Sequence, residues 1–223
     1  MCGRITMTNP DLDALGGASW GGGATWGASA LRARYNIAPA QRHWIVRAAA
    51  GASEGELVEA TWGLRNREGR LLINLRAETL SQPAGRLARA SRCAVPADGF
   101  YEWVGTKVDR RPLWFHAPEG GSLWMAGVYD AQEGLSPAFA VLTCPANRLV
   151  AQAHDRMPVL LDEDALAEWL DRDTPEVALR SMLRPAPVEA LEVHPASTRV
   201  NIVANDDPGC IEPPRGPAQL ALF

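Results

Sequence analysis

The stretch MCGRITM puts a cysteine directly behind the first methionine. With Met1 removed, Cys2 carries an α-amine and a thiol on adjacent carbons. Reference pKa values of roughly 7.7–8.0 and 8.5 leave on the order of a tenth of the amine neutral near pH 7 and a few per cent of the thiol as thiolate. That pair has a distinctive reaction with aldehydes: the amine forms a Schiff base and the thiol closes onto the imine carbon. The five-membered thiazolidine that results is harder to hydrolyse than the imine a lysine would give. A second chemistry uses the same start, since in amino-terminal nucleophile amidotransferases the thiol attacks an amide and the free amine acts as base. Cys2 alone does not separate the two.

The elements that must position Cys2 belong to a chain of 223 residues, 47% hydrophobic and 22% charged, long enough for one sizeable core. No run of about 18 apolar residues and no signal-peptide pattern is present, so the chain is expected to be cytoplasmic and to have no membrane partner. Cys2, Cys93, Cys144 and Cys210 form no C-x-x-C pair, which argues for reduced thiols and against a zinc knuckle. The net charge is −4, yet residues 65–111 hold ten basic against five acidic residues, while residues 162–192 hold nine acidic against three basic. A basic face on an acidic protein is compatible with nucleic-acid binding and equally with solvated surface.

Short, aromatic-rich apolar stretches bounded by Gly, Pro and Asp predict strands at LVEATWGL, RLLINLRAETL, RCAVPADGFYEWV, RPLWFHA, SLWMAGVYDA, PAFAVLTCPA, ALEVHP and RVNIVAN. RYNIAPAQRHWIVRAAA reads as a Pro-containing turn running into a strand, and APEGG as a hairpin closure. Asp162 is placed to cap a helix over EDALAEWLD, and Thr174 with Pro175 at the first helical position to start PEVALRSMLR. GGASWGGGATWGASALR reads as loop. The expected fold is a single α+β domain over residues 1–211, with a mixed, barrel-like β-sheet core and a few flanking helices. Residues 212–223 form a Pro/Gly-rich flexible tail.

Four further stretches, RYNIAPAQ (34–41), INLRAETL (73–80), RCAVPADGFYEW (92–103) and AHDRMPVLL (153–161), follow MCGR in order. Together they closely resemble the SRAP family, proteins named for association with the SOS response and known for covalently trapping abasic sites in single-stranded DNA. The resemblance runs from Met1 to about Asp207. It implies Cys2 as the crosslinking residue with Asn74, Glu102 and His154 as catalytic companions. The chemistry gives each a reason: Glu102, beside Tyr101 and Trp103, gains a raised pKa and shuttles a proton during imine formation. His154 serves ring opening and reversal, and Asn74 holds the amine or the finished ring by neutral hydrogen bonds. Gly3, Arg4, Arg76 and Arg156 lie beside these residues in sequence and are expected at the DNA backbone, with Trp62 and Trp103 stacking on bases. Arg76 beside Glu78 reads equally as an ion pair. The family's Pro/Trp-containing loop after WGL is replaced by a short Arg-rich segment with Arg65, Arg67 and Arg70.

The last residues, Gln219, Leu220, Leu222 and Phe223, resemble the short peptide with which bacterial DNA-handling proteins bind the replication sliding clamp. EPPRGP before them is a stiff spacer. The reading is therefore a monomeric protein that needs no cofactor or metal and senses abasic sites in single-stranded or junction DNA. It crosslinks through Cys2 after Met1 removal, and associates with the nucleoid when bound. Two alternatives stand beside it: a cysteine peptidase or amidohydrolase with Cys2 as nucleophile, including the case of action confined to its own amino terminus, and a non-catalytic single-strand binder.

Overall fold

The computed structural model describes residues 2–10, 32–48, 55–80, 90–106, 108–131 and 136–214. In chain order the strands are β1 (Ile5–Met7), β2 (Arg34–Ile37), β3 (Arg42–Ala48), β4 (Gly55–Trp62), β5 (Leu64–Arg65), β6 (Leu71–Leu72) and β7 (Asn74–Arg76). The four-residue helix α1 (Ala77–Leu80) follows, then β8 (Arg92–Ala97), β9 (Gly99–Gly105), β10 (Arg110–His116), β11 (Leu123–Asp130), β12 (Ala138–Pro145), β13 (Arg156–Pro158) and β14 (Leu160–Leu161). Helices α2 (Glu163–Leu170) and α3 (Glu176–Met182) precede the last strand, β15 (Glu192–Pro195).

Two sheets carry the architecture. In the larger, the order is β13–β12–β4–β3–β8–β11–β14, and β11 also pairs with β12. Strands β12, β4, β3, β8 and β11 therefore close on themselves as a small barrel, with β7 lying parallel to β12. The second sheet has the order β15–β10–β9–β1–β2. One apolar core runs through both, from Ile45, Val95, Met125 and Phe139 of the barrel to Ile5, Phe100 and Phe115 of the second sheet. The other face of the second sheet is covered by the segment after β15, where Ala196, Val200 and Cys210 pack on Tyr101. This is the mixed, barrel-like α+β domain that the sequence implies.

RCAVPADGFYEWV is two strands. The chain leaves the barrel at Asp98 and enters the second sheet, and the buried Asp98 carboxylate fixes the corner. It accepts from the Thr6 hydroxyl at 2.5 Å, the Thr8 hydroxyl at 2.6 Å, and the backbone N–H groups of Thr8 and Asn9. At Gly99, just beyond, a Cβ would sit 2.3 Å from Trp114 Nε1, so only glycine lets that indole lie across the strand. APEGG does not close a hairpin: β10 and β11 belong to different sheets, and Pro118–Gly120 form a 3₁₀ turn between them. The tight hairpin is instead β9–β10, beginning at Gly105 (φ +95).

Other corrections have local causes. In RLLINLRAETL the strand ends at Arg76, where pairing with β12 stops at Thr143, and AETL turns helical. Asp162 caps α2 by accepting from Ala165 N–H at 2.8 Å, as its sequence position implies. Thr174, however, turns its hydroxyl to the Glu168 carbonyl, and Pro175 occupies the cap position of α3. RVNIVAN is not a strand: Thr198–Asn201 is a 3₁₀ turn whose carbonyls are taken by side chains of other segments. The Gly-rich stretch at 16–29 and residues 219–223 lie outside the described residues.

Candidate functional site: a groove walled by arginine and tryptophan

Cys2 leads into β1, in the middle of the second sheet, and it is fully buried. Asn74, at the start of β7, donates from Nδ2 to the Cys2 carbonyl at 2.6 Å, which ties the chain's beginning to the barrel. The Asn74 Oδ1 atom is buried and has no hydrogen-bond partner among the described residues, an arrangement uncommon enough in native proteins to mark a place where a donor is awaited. The Cys2 thiol faces the Arg4 carbonyl at 3.7 Å. Burial pushes its pKa far up, and the Glu102 charge pushes it further, while the positive amino terminus and the contact with Arg4 pull it back. At neutral pH the thiol therefore keeps its proton.

Glu102 sits on β9 directly opposite Leu113, and directly paired antiparallel residues share a face. Its side chain thus starts from the apolar side of the sheet, alongside Phe100 and Phe115. Burial raises its pKa; the amino terminus, His154 and Arg110 act in the opposite direction without cancelling that effect. His154, on the turn before β13, lines the same groove as Glu102 and is about a third exposed. Its Nδ1 lies 3.0 Å from the Arg156 backbone N–H and 2.8 Å from the Asp155 carboxylate. Those contacts exclude each other at one atom: a bare Nδ1 accepts from the backbone, and an Nδ1–H donates to Asp155.

The groove itself, about 720 Å³, sets Arg4 and Arg110 against Glu102 and Asp109, and is further lined by Gly3, Trp103, Val108, His154, Thr198 and Asn201. Trp103 is the aromatic wall, its Nε1 donating to Asn201 Oδ1 at 2.7 Å. The Arg4 and Arg110 guanidiniums lie 5.9 and 5.1 Å from its ring centroid. Arg4 donates to Asn36 Oδ1 at 3.0 Å and to the Val200 carbonyl at 2.6 Å, both neutral acceptors, so its charge stays available. Burial first, and Arg110 second, lower its pKa. Two cations close enough to feel each other, beside a half-buried indole, suit an anionic chain.

Other candidates fall elsewhere. Trp62 is a core residue: fully buried, stacked on Phe139 at 6.2 Å and donating to the Ile73 carbonyl, it offers no face to a base. Arg156 is buried and engaged, making a bidentate pair with Glu78 at 2.6 and 2.8 Å and a bond to the Thr143 carbonyl. That pair joins the segment carrying Asn74 to the one carrying His154, so Arg156 positions the site. Arg76, whose pairing with Glu78 the sequence leaves open, is instead exposed. Arg110, Thr198 and Asn201 were not singled out from sequence. The one signal was the Arg110–Arg111 doublet within the basic stretch. Asn36, in RYNIAPAQ, is the latch of this wall: its Nδ2 faces the carbonyls of Val200, Ile202 and Asn205, while Asp206 accepts from the N–H groups of Tyr35 and Asn36.

These roles separate by experiment. Arg110→Ala should weaken single-stranded DNA binding and reduce the slope of log affinity against log salt by about one, with an unchanged melting temperature. Arg156→Ala should instead lower stability by about 1–3 kcal/mol in urea unfolding, through the lost buried hydrogen bonds, and leave the salt slope alone.

An Arg- and Trp-walled groove, with the buried Cys2 just ahead of its lining residues Gly3 and Arg4, marks the candidate site of a small sheet protein. Residues 1–203 match the family described as SOS response associated peptidase (SRAP), and the chain belongs to that family. It is 34% identical over 196 residues to the abasic site processing protein YoqW of Bacillus subtilis, covering 80% of this chain and 85% of that one. It is 32% identical over 201 residues to the abasic site processing protein HMCES of Gallus gallus, covering 74% of this chain and 59% of the relative. Among solved structures, a Bacteroides thetaiotaomicron protein at 20% identity superposes with a TM-score of 0.76 over 95% of this chain and 99% of its own. A phage-related protein of Bordetella bronchiseptica, 27% identical, gives 0.69 over 87% and 93%.

Proposed function

We propose that the protein captures abasic sites in single-stranded or junction DNA as a thiazolidine on Cys2, once Met1 has been removed. The observation that carries this reading is a chain of contacts: Asn74 holds the Cys2 carbonyl, the Glu102 charge acts on Cys2, and Glu102 and His154 line the Trp-walled groove. The family membership and the relatives named for abasic site processing support it.

In the proposed sequence the neutral amine of Cys2 attacks C1′ of the ring-opened deoxyribose, with His154 taking up and returning the proton that opens the ring. The carbinolamine then loses water, its hydroxyl leaving with a proton from neutral Glu102. Cys2 Sγ adds to the imine carbon as the thiol proton passes to the imine nitrogen. The balance is one C–N and one C–S bond formed and one water released. Asn74 holds the Cys2 carbonyl throughout, and its free Oδ1 is an acceptor for the new amine. In the same proposal Gln219, Leu220, Leu222 and Phe223 bind a sliding clamp.

Intact-mass spectrometry of the protein with a single-stranded oligonucleotide carrying one abasic site tests the reading. The expected species is the protein without Met1 plus the oligonucleotide minus one water. Met1-free protein with no adduct would sink the capture reading in favour of the hydrolase, and retained Met1 would remove the amine on which the chemistry depends.

A further inference from the structure

At the opposite end of β10 from the groove, roughly 20 Å along the strand from Arg110, three metal-competent side chains gather. His116 on β10 pairs with Glu192 on β15, and Trp114 pairs with His194. Positions two apart on a strand share a face, so the register delivers His116, Glu192 and His194 to one side of the sheet. Their ligand atoms lie within 4.8 Å of one another, the only such group among the described residues. His116 Nε2 is 3.0 Å from His194 Nδ1 and 3.9 Å from Glu192 Oε2. Ligands about 2.0–2.1 Å from a tetrahedral zinc stand roughly 3.3–3.4 Å apart, between those two separations.

The surroundings supply what a metal-binding imidazole ordinarily has. His116 Nδ1 lies 2.8 Å from the Ala117 carbonyl, which can only accept, so Nδ1 carries the proton and Nε2 presents a lone pair to the cluster. Trp114 stacks on the His116 ring at 4.1 Å and fixes its plane. His116 is buried, while Glu192 opens to solvent and gives the ion an entry path.

We propose that His116, Glu192 and His194 bind a divalent first-row metal ion, zinc being the best match to two imidazoles and a carboxylate with water in the fourth position. The ion fastens β15, an edge strand held by β10 alone, and so steadies the segment after it, which brings Thr198 and Asn201 to the groove. The site lies apart from Cys2 and takes no part in crosslinking.

The test uses the untagged full chain, stripped with EDTA and titrated with Zn²⁺ alone by calorimetry, with melting temperature read in parallel. One equivalent should bind and raise the melting temperature. His194→Gln and Glu192→Gln should each weaken binding about tenfold or more, while melting like the parent in EDTA, which shows that they fold. Co²⁺ should give tetrahedral visible bands without thiolate charge transfer. No saturable binding at one equivalent, affinity unchanged in His194→Gln, or a thiolate band reporting cysteine would each overturn the proposal.

Discussion

On the proposed chemistry, Cys2→Ala should abolish the denaturation-stable adduct with abasic DNA and convert protection of the lesion into strand cleavage. In that variant residue 2 would still present an α-amine after Met1 removal, so an imine with C1′ would still form, but nothing would close onto its carbon. An open imine acidifies the C2′ proton, and loss of that proton expels the 3′-phosphate. The proposed thiazolidine would prevent this by returning C1′ to a saturated state. Cys2→Ser is intermediate, since its hydroxyl can close only a labile oxazolidine. Borohydride should trap the imine of Cys2→Ala as a reduced adduct, whereas the untreated sample shows cleaved oligonucleotide on a denaturing gel. A stable adduct in Cys2→Ala without reduction would move the crosslink to another residue. Because Cys2 is buried and the phosphate-facing candidates are Arg4 and Arg110, DNA affinity should change little.

The fold was legible where a local rule also decides the tertiary outcome. LVEATWGL and PAFAVLTCPA became β4 and β12 because their apolar side chains have a barrel interior to fill, and Asp162 caps α2 because that bond is made within one turn. Legibility failed where the partner is remote. The break at Asp98 depends on hydroxyls and amides from residues 6–9, and nothing in RCAVPADGFYEWV announces that its halves enter different sheets. RVNIVAN has strand-like composition, but Arg4 and Asn36 reach the carbonyls of Val200 and Ile202 that a neighbouring strand would need.

The same distinction runs through the site. Cys2, Asn74, Glu102 and His154 were chosen by type and motif; Asn74 bonds the Cys2 carbonyl, and Glu102 and His154 line one groove. Residues chosen for adjacency in sequence fared differently. Arg156 lies two positions from His154, yet His154 sits on the turn before β13 while Arg156, the first residue of that strand, turns inward to Glu78, whereas Arg110 reaches the groove from a hairpin partner. Trp62 and Trp103 are the same residue type near the same motifs, and only burial separates a core indole from a half-buried one.

Glu102→Gln should slow adduct formation by about 10²–10⁴-fold, the range for loss of a positioned general acid. Its pH dependence gives the sharper reading. Burial raises the Glu102 pKa, so the acid form persists to higher pH than an ordinary carboxyl and is lost as pH rises through that value. The Cys2 amine becomes neutral in the opposite direction, around roughly 7.7–8.0. The wild-type rate should therefore pass through a maximum and the Glu102→Gln rate climb steadily with pH, as measured by quenched-gel kinetics. A maximum that survives in Glu102→Gln would transfer the acid role to another group. Stability moves the other way. Between the unfolded and folded pKa values the native state binds more protons than the unfolded one, so stability is greatest below the unfolded value and declines as pH rises through the folded one. Gln, the shape of the protonated acid without its charge, removes that decline. Glu102→Gln should thus be more stable than wild type at neutral pH, the gap closing in acid, and urea unfolding at two pH values reads the difference. A variant that loses rate while gaining stability locates the cost of this carboxyl in its burial and its use in proton transfer.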